Sequence, residues 1–247
     1  MVQLYDDERL DRLVSGKERP IIQSPTVFSY SLDAILLAHF VYVPIQKGNI
    51  LDLGTGNGII PLLLADRTKA SITGLEIQGR LANMAKRTMQ LNNLTKRIKI
   101  IIGDLREVQP ELHHDYYDVV TCNPPYFKTP KRTEYNKNDY LTIARHERMC
   151  TLEDVIRSAK RYVKPGGKVA LVHRPDRLVD LLTLFRKYNI EPKRLRFIYP
   201  KKNKEANIVL LEGTRDGRSG LKTLAPLYVY EEDNTYTEEA RSIIYGT

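Results

Sequence analysis

The feature that most constrains this chain is a short apolar strand that runs into a glycine-rich turn and then directly into a helix. Residues 49–53 (Asn-Ile-Leu-Asp-Leu) precede Gly54, Gly56 and Gly58, and residues 59–66 carry on as a helix. Pro61 falls in the first turn of that helix, where a missing N–H costs nothing. The pattern then repeats. Residues 71–76 read as a strand, 79–91 have helical spacing, and 98–102 and 117–122 are apolar runs of the kind buried in parallel sheets. Residues 152–163 read as a helix ended by Pro165-Gly166-Gly167, then 168–173 as a strand and 176–188 as a helix. Strands alternating with helices specify an α/β fold with a doubly wound, mostly parallel sheet. The segments 195–199, 207–212 and 225–230 have no helices between them, so the sheet is expected to end antiparallel. Upstream, 31–43 reads as a buried helix with Ser31 at its N-cap. No linker divides the chain. One domain is expected over 1–247, with an N-terminal segment and helix (1–48), a core (49–190) and basic C-terminal strands (191–247).

Composition removes several classes of function. No window approaches the ~18 uninterrupted apolar residues of a membrane span. The first twenty residues lack the apolar stretch of a secretory signal. Two cysteines, Cys122 and Cys150, cannot build a disulfide framework or a zinc cluster by themselves, and His113-His114 have no partner at metal spacing. A cytoplasmic protein with no membrane partner and no metal is expected. The formal net charge of +9 suits a polyanionic partner, although it equally suits plain solubility. Nothing in the sequence separates a monomer from a homodimer.

Glycines at 54, 56 and 58 let the backbone turn tightly and approach a ligand without a Cβ in the way. The dinucleotide fingerprint places its third glycine one position later. The spacing here, with Asp52 ahead of it, resembles the first motif of S-adenosylmethionine-dependent methyltransferases of the Rossmann-like class. Glu76 ends the second core strand about 20 residues on, where an acid accepts ribose hydroxyls. The resemblance implies a cofactor site made of Asp52 near the cofactor's ammonium, Gly54, Gly56 and Gly58 around it, Glu76 with Ile77, and Asp104 with Leu105 at the adenine. Asp33 either helps hold the methionine end or favours the dipole of helix 31–43; both readings stay open.

Asn123-Pro124-Pro125-Tyr126 directly follows the strand 117–122. The prolines stop the strand and have no N–H, leaving the Asn123 side chain and the Pro124 carbonyl as fixed acceptors. Two acceptors aimed at one planar amine hold both its hydrogens and point the nitrogen lone pair at an electrophilic methyl. That is electrostatic preorganisation and needs no general base. Tyr126 offers a ring to stack on an unpaired or flipped-out base, and Phe127 can back it. These four residues resemble the (N/D)PP(Y/F) motif of amino methyltransferases, with Tyr typical for adenine N6.

Together with residues 28–40, the Arg145-His146-Glu147 and 172–177 segments and the basic C-terminal part, the chain is similar to the bacterial tRNA1(Val) adenine-N6 methyltransferase family in its Gram-positive form. That family methylates the adenine beside the anticodon, so tRNA is the implied substrate. The opening segment departs from the pattern by reading Ser31-Leu32-Asp33, which leaves the roles of Ser31 and Asp33 open. Arg194, Arg196, Lys201 and Lys202, within a basic stretch interleaved with aromatics, suit a phosphate-tracking surface; so does Lys128 beside the chemical motif, in a long segment (127–148) that can close over a flipped base. His146 reads as positioning or packing. Three rivals are weaker. A protein glutamine methyltransferase usually has an extra helical domain ahead of the glycine turn, where only 51 residues precede Asp52. A DNA adenine methyltransferase ordinarily carries a larger target-recognition region than roughly the last 60 residues can supply, and an rRNA amino methyltransferase stays an alternative. A non-catalytic RNA-binding module has no reason to keep the glycines, Glu76 and Asn123-Tyr126 intact.

Overall fold

A computed structural model of the protein describes residues 2–13, 18–27, 31–44, 46–126 and 150–246. The parallel sheet runs as expected. Strands β3 (Asn49–Leu53), β4 (Ser71–Glu76), β5 (Ile98–Ile102), β6 (Tyr117–Cys122) and β7 (Val163–His173) lie side by side in the order β5-β4-β3-β6-β7, all parallel. The chain steps outward from β3 in one direction through β4 and β5, and in the other through β6 and β7. The reversal point therefore falls between β3 and β6, where open α/β sheets hold their ligands. Strand β9 (Ile208–Arg215) adds antiparallel to β7, and β8 (Ile190–Tyr199) antiparallel to β9. Two short strands, β10 (Lys222–Thr223) and β11 (Leu227–Tyr228), pair with the outer side of β8.

Period-two alternation splits the core into two layers. On β3, Ile50 joins a cluster with helices α1 (Leu32–Phe40), α2 (Ile59–Arg67) and α3 (Gly79–Leu91) and the last helix, α6 (Glu238–Tyr245). Leu51 and Leu53 join the opposite cluster with α4 (Leu152–Tyr162) and α5 (Leu178–Lys187). A capping box between Thr151 and Asp154 starts α4. An N-terminal hairpin, β1 (Arg9–Leu13) with β2 (Arg19–Gln23), packs Ile22 on Leu81 and Met84 of α3.

Four expectations are corrected. The helix expected over 31–43 stops at Phe40: Val41 is already extended, and Pro44 follows. Pro165-Gly166-Gly167 does not separate α4 from β7. The strand begins at Val163, opposite Tyr117, and the turn residues form a bulge before pairing resumes at Val119–Lys168. The helix expected from 176 opens as a single 3-10 turn, Pro175–Arg177, before α5. The strand expected over 225–230 shrinks to β11.

Candidate active site

The carboxyl ends of β3, β4, β5 and β6 open into one cavity. Gly54, Gly56, Glu76, Ile77, Asp104, Leu105, Asn123 and Pro124 line it, so both sequence motifs face a common space.

The three glycines of the turn all have left-handed backbones, but for two different reasons. Gly54 (φ +66°) and Gly56 (φ +58°) have no atom within 4 Å of where a Cβ would stand, because the cavity lies in front of them. Gly58 (φ +87°) faces inward, where a Cβ would meet Met89 Cε at 2.9 Å and the Ala85 Cβ at 3.2 Å. It lies outside the lining and allows α3 to pack closely. Thr55 N–H donates to Leu75 O at 3.0 Å, and the Asn57 side-chain amide donates to Ile22 O at 3.2 Å, fastening the turn to β4 and to the N-terminal hairpin.

Glu76 is buried at the wall. Its two oxygens accept from the backbone N–H of Gly56 at 2.8 Å and of Gln78 at 2.9 Å. With the Ile77 N–H also close, the carboxylate keeps capacity for a further donor. Burial raises its carboxyl above the ordinary value despite these bonds. Asp104 sits at the next strand end. Burial opposes its ionisation, but the Arg106 guanidinium and backbone N–H (2.9 Å) outweigh that and hold the carboxyl below its usual range.

Asp52 lies behind the turn, outside the lining. It is fully buried, its Oδ1 accepts the Thr121 hydroxyl at 2.6 Å, and its Oδ2 has no hydrogen-bond partner among the described residues. Burial pushes its pKa up to about 7. The period-two alternation of β3 explains the placement: Asp52 shares the Ile50 face and points into the layer beneath the turn. Asp33 also stands outside the lining. Its Oδ2 accepts the Tyr126 hydroxyl at 2.5 Å, and the same hydroxyl lies 2.8 Å from Asn123 Oδ1.

Several residues at the site have no site role in a linear reading, although Ser31 reads as an N-cap and His173 falls in the 172–177 segment. Ser31, Thr55 and Gln78 line the cavity, and their side-chain oxygens are buried without hydrogen-bond partners among the described residues. Gln78 follows Glu76 closely enough for a search of strand ends to reach it. His173, at the end of β7, is fully buried with its ring 5.2 Å from that of Tyr126. Its Nδ1 accepts the Arg174 N–H at 2.8 Å, which leaves the proton on Nε2. Burial drops its pKa to about 4, so the ring is neutral.

The basic stretch is not a uniform phosphate track. Arg194 pairs with the buried Glu212 at 3.2 Å and lies over the Phe40 ring, and Arg196 pairs with Glu239 and donates to Ala225 O at 2.9 Å. Both are committed within the sheet. Lys201 donates to Glu232 O at 2.8 Å, while Lys202 and Lys204 are exposed. The antiparallel registers His173–Val209 and Ile198–Ile208 carry the turn bearing these lysines to the same end of the sheet as Asn123. Phe127, Lys128 and His146 lie outside the described residues.

Orphaned polar atoms around a glycine cradle with an acid at the next strand end suit a nucleoside cofactor, and the fold with this site defines a class I S-adenosylmethionine-dependent methyltransferase. The Methyltransferase small domain family model matches residues 18–197. Among relatives, the tRNA1(Val) (adenine(37)-N6)-methyltransferase of Porphyromonas gingivalis strain W83 is 33% identical over 207 residues, covering 81% of this chain and 80% of that protein. The same-named protein of strain ATCC 33277 aligns over 66% of this chain and 64% of its own length at 33% identity. A crystal structure of a predicted O-methyltransferase from Agrobacterium tumefaciens has the same fold, with a TM-score of 0.70 at 24% identity over 87% of this chain and 96% of that one. The chain belongs to the methyltransferase small-domain family, in the group of tRNA1(Val) (adenine-N6)-methyltransferases.

Proposed function

We propose that the protein transfers a methyl group from S-adenosylmethionine to N6 of an adenine in tRNA, the adenine beside the anticodon of a valine tRNA, in the cytoplasm. The supporting observation is that Asn123-Pro124 and the Gly54–Gly56 turn with Glu76 line one cavity at the reversal point of the sheet. The relatives' shared name supports the substrate.

S-adenosylmethionine supplies a methyl carbon made electrophilic by the sulfonium. Glu76 takes the ribose hydroxyls with its remaining acceptor capacity, Asp104 and Leu105 the adenine end, and Gly54 and Gly56 leave room for close backbone approach. Asn123 Oδ1 and the Pro124 carbonyl accept the two N6 hydrogens of the substrate and leave the nitrogen lone pair facing the methyl group. The Tyr126 ring, backed by His173, stacks on the extruded base. As the new N–C bond forms, the methyl's bond to sulfur would break with its electron pair left on sulfur as neutral S-adenosylhomocysteine; the nitrogen becomes cationic and its proton leaves to solvent. The exposed Lys202 and Lys204, with Lys201, meet the RNA backbone at the same end of the sheet. Asn123→Ala is expected to cut the single-turnover rate by at least ~100-fold while cofactor affinity by calorimetry stays within about twofold. A variant that turns over normally contradicts the assignment.

A further inference from the structure

The Tyr126 hydroxyl stands between two acceptors, Asp33 Oδ2 at 2.5 Å and Asn123 Oδ1 at 2.8 Å. A hydroxyl has one hydrogen, so it serves one acceptor at a time and can itself accept from a donor on the other side. Asn123 has both kinds of atom on its amide, an oxygen and an NH2. We propose that Asp33 is a positioning residue for methyl transfer: by taking the Tyr126 hydrogen, its carboxylate turns Tyr126 into an acceptor for the Asn123 NH2, so that Asn123 Oδ1 faces the substrate amine. This rests on the reading of Asn123 given above.

The direction of the chain of hydrogen bonds decides the matter. With Asp33 ionised, hydrogens run from the Asn123 NH2 to Tyr126 Oη and from Tyr126 to Asp33. The amide oxygen is then the end left for the amine. With Asp33 neutral, its own O–H is donated to Tyr126, and Tyr126 donates to Asn123 Oδ1. The oxygen that should receive the amine hydrogen is then occupied, and the NH2 faces the substrate, donor against donor. The Asn123 amide, with Oδ1 toward Tyr126, has the orientation of this second arrangement, while the Tyr126 hydroxyl also lies within reach of Asp33 Oδ2, the acceptor of the first. The two differ by a half-turn of one amide, with no backbone movement.

Surroundings favour a switchable carboxyl. Burial of Asp33 raises its pKa, against the stabilising bond from Tyr126. The other titratable groups facing the pair, among the described residues, are Cys122 on β6 and His173 and Arg174 at the end of β7. Burial holds His173 neutral above about pH 4, so it does not titrate in the working range. Because the Asp33 pKa is raised, the proton stays on to a higher pH than for an ordinary carboxyl. Activity therefore falls as pH drops through that raised value.

The test is the single-turnover rate of methyl transfer to tRNA at saturating S-adenosylmethionine, followed over pH 5.5–9 for the wild type, Asp33→Ala, Tyr126→Phe and the double variant. Asp33→Ala leaves Tyr126 with Asn123 Oδ1 as its acceptor, so its rate at pH 8 is expected to fall about tenfold to a hundredfold, with the acid limb lost. Tyr126→Phe keeps the stacking ring and removes the hydroxyl. In that background Asp33→Ala is expected to cost less than twofold, against the tenfold to hundredfold cost with Tyr126 present. Affinity for S-adenosylhomocysteine should match the wild type within about twofold in Asp33→Ala, and thermal melts confirm that each variant folds. A retained acid limb in Asp33→Ala overturns the inference. So does an Asp33→Ala cost in the Tyr126→Phe background as large as in the wild type, or a loss confined to cofactor affinity. Asn123→Ala, run alongside, separates the levels: if it remains active, the reading of Asn123 fails, whereas if it is dead and Asp33→Ala behaves like the wild type, only the role of Asp33 fails.

Discussion

Replacing Asp52 by Asn keeps the shape of the side chain and removes a charge that the fold holds at a cost. The carboxyl is fully buried, with Thr121 as its bonded partner, and its pKa is pushed up to about 7 by burial. In the unfolded chain it returns to about 4. Below pH 4 both states are protonated and the group contributes nothing. As pH rises, the unfolded chain releases the proton first, so the native state loses ground until the folded group also ionises near 7. At ~1.4 kcal/mol per pH unit, the penalty grows by about 2–3 kcal/mol between pH 5 and pH 8. Asn carries no such dependence. The Asp52→Asn protein should therefore gain on the wild type by that amount over the interval, whatever the pH-independent cost of its new amide hydrogens. For a chain of this size that is a differential melting shift of about 5–10 °C. Cofactor-free protein melted at pH 5, 6, 7 and 8 gives the answer directly. A difference between variants that stays flat across the series refutes the account of Asp52 as a strained buried acid.

The glycine turn separates into two experiments. Gly56→Ala should leave melting within a few degrees of wild type, since a left-handed alanine costs ~1–2 kcal/mol, yet it should block cofactor binding by calorimetry. Gly58→Ala, whose Cβ is driven against Met89 and Ala85, should lose stability as its main effect. At the RNA-facing end of the sheet, Lys202→Glu with Lys204→Glu should raise KM for tRNA and flatten its salt dependence with little change in kcat. Arg194→Ala should instead cost about 3 kcal/mol in denaturant unfolding, because Glu212 is left buried without its ion pair.

Much of this architecture is written in local pattern. The strands at 49–53, 71–76, 98–102 and 117–122 and the helix at 79–91 coincide with the segments read from apolar runs and helical spacing, because each carries its own periodicity within a short stretch of sequence. The edges were harder to read. β1 and β2 are too polar and too short to mark themselves, and β2 is buried by α3, about 60 residues on. Pro165-Gly166-Gly167 carries the signature of a break, yet the ladder to β6 begins before it and absorbs it as a bulge. At the site, strand ends followed by Gly, Glu, Asp and Asn-Pro-Pro all led to the cavity, while Tyr126 stands just outside its lining. Two acids did not behave as their positions suggested. Asp52 takes the inward face by the alternation of its strand, and Asp33 meets a tyrosine 93 residues away. His173 has no motif of its own; it matters because β7 ends beside β6. The basic stretch does not show that Arg194 and Arg196 are paired within the fold, because their partners Glu212 and Glu239 come from β9 and α6.

The most direct measurement is transfer of label from S-adenosylmethionine to unmodified total tRNA, followed by nucleoside analysis and mapping. The account predicts N6-methyladenosine confined to the adenine beside the anticodon of one valine tRNA, and none in the presence of Asn123→Ala protein. Label in adenine of rRNA or DNA but not in tRNA would contradict the substrate, and label in protein glutamine with none in nucleic acid would contradict the chemistry itself.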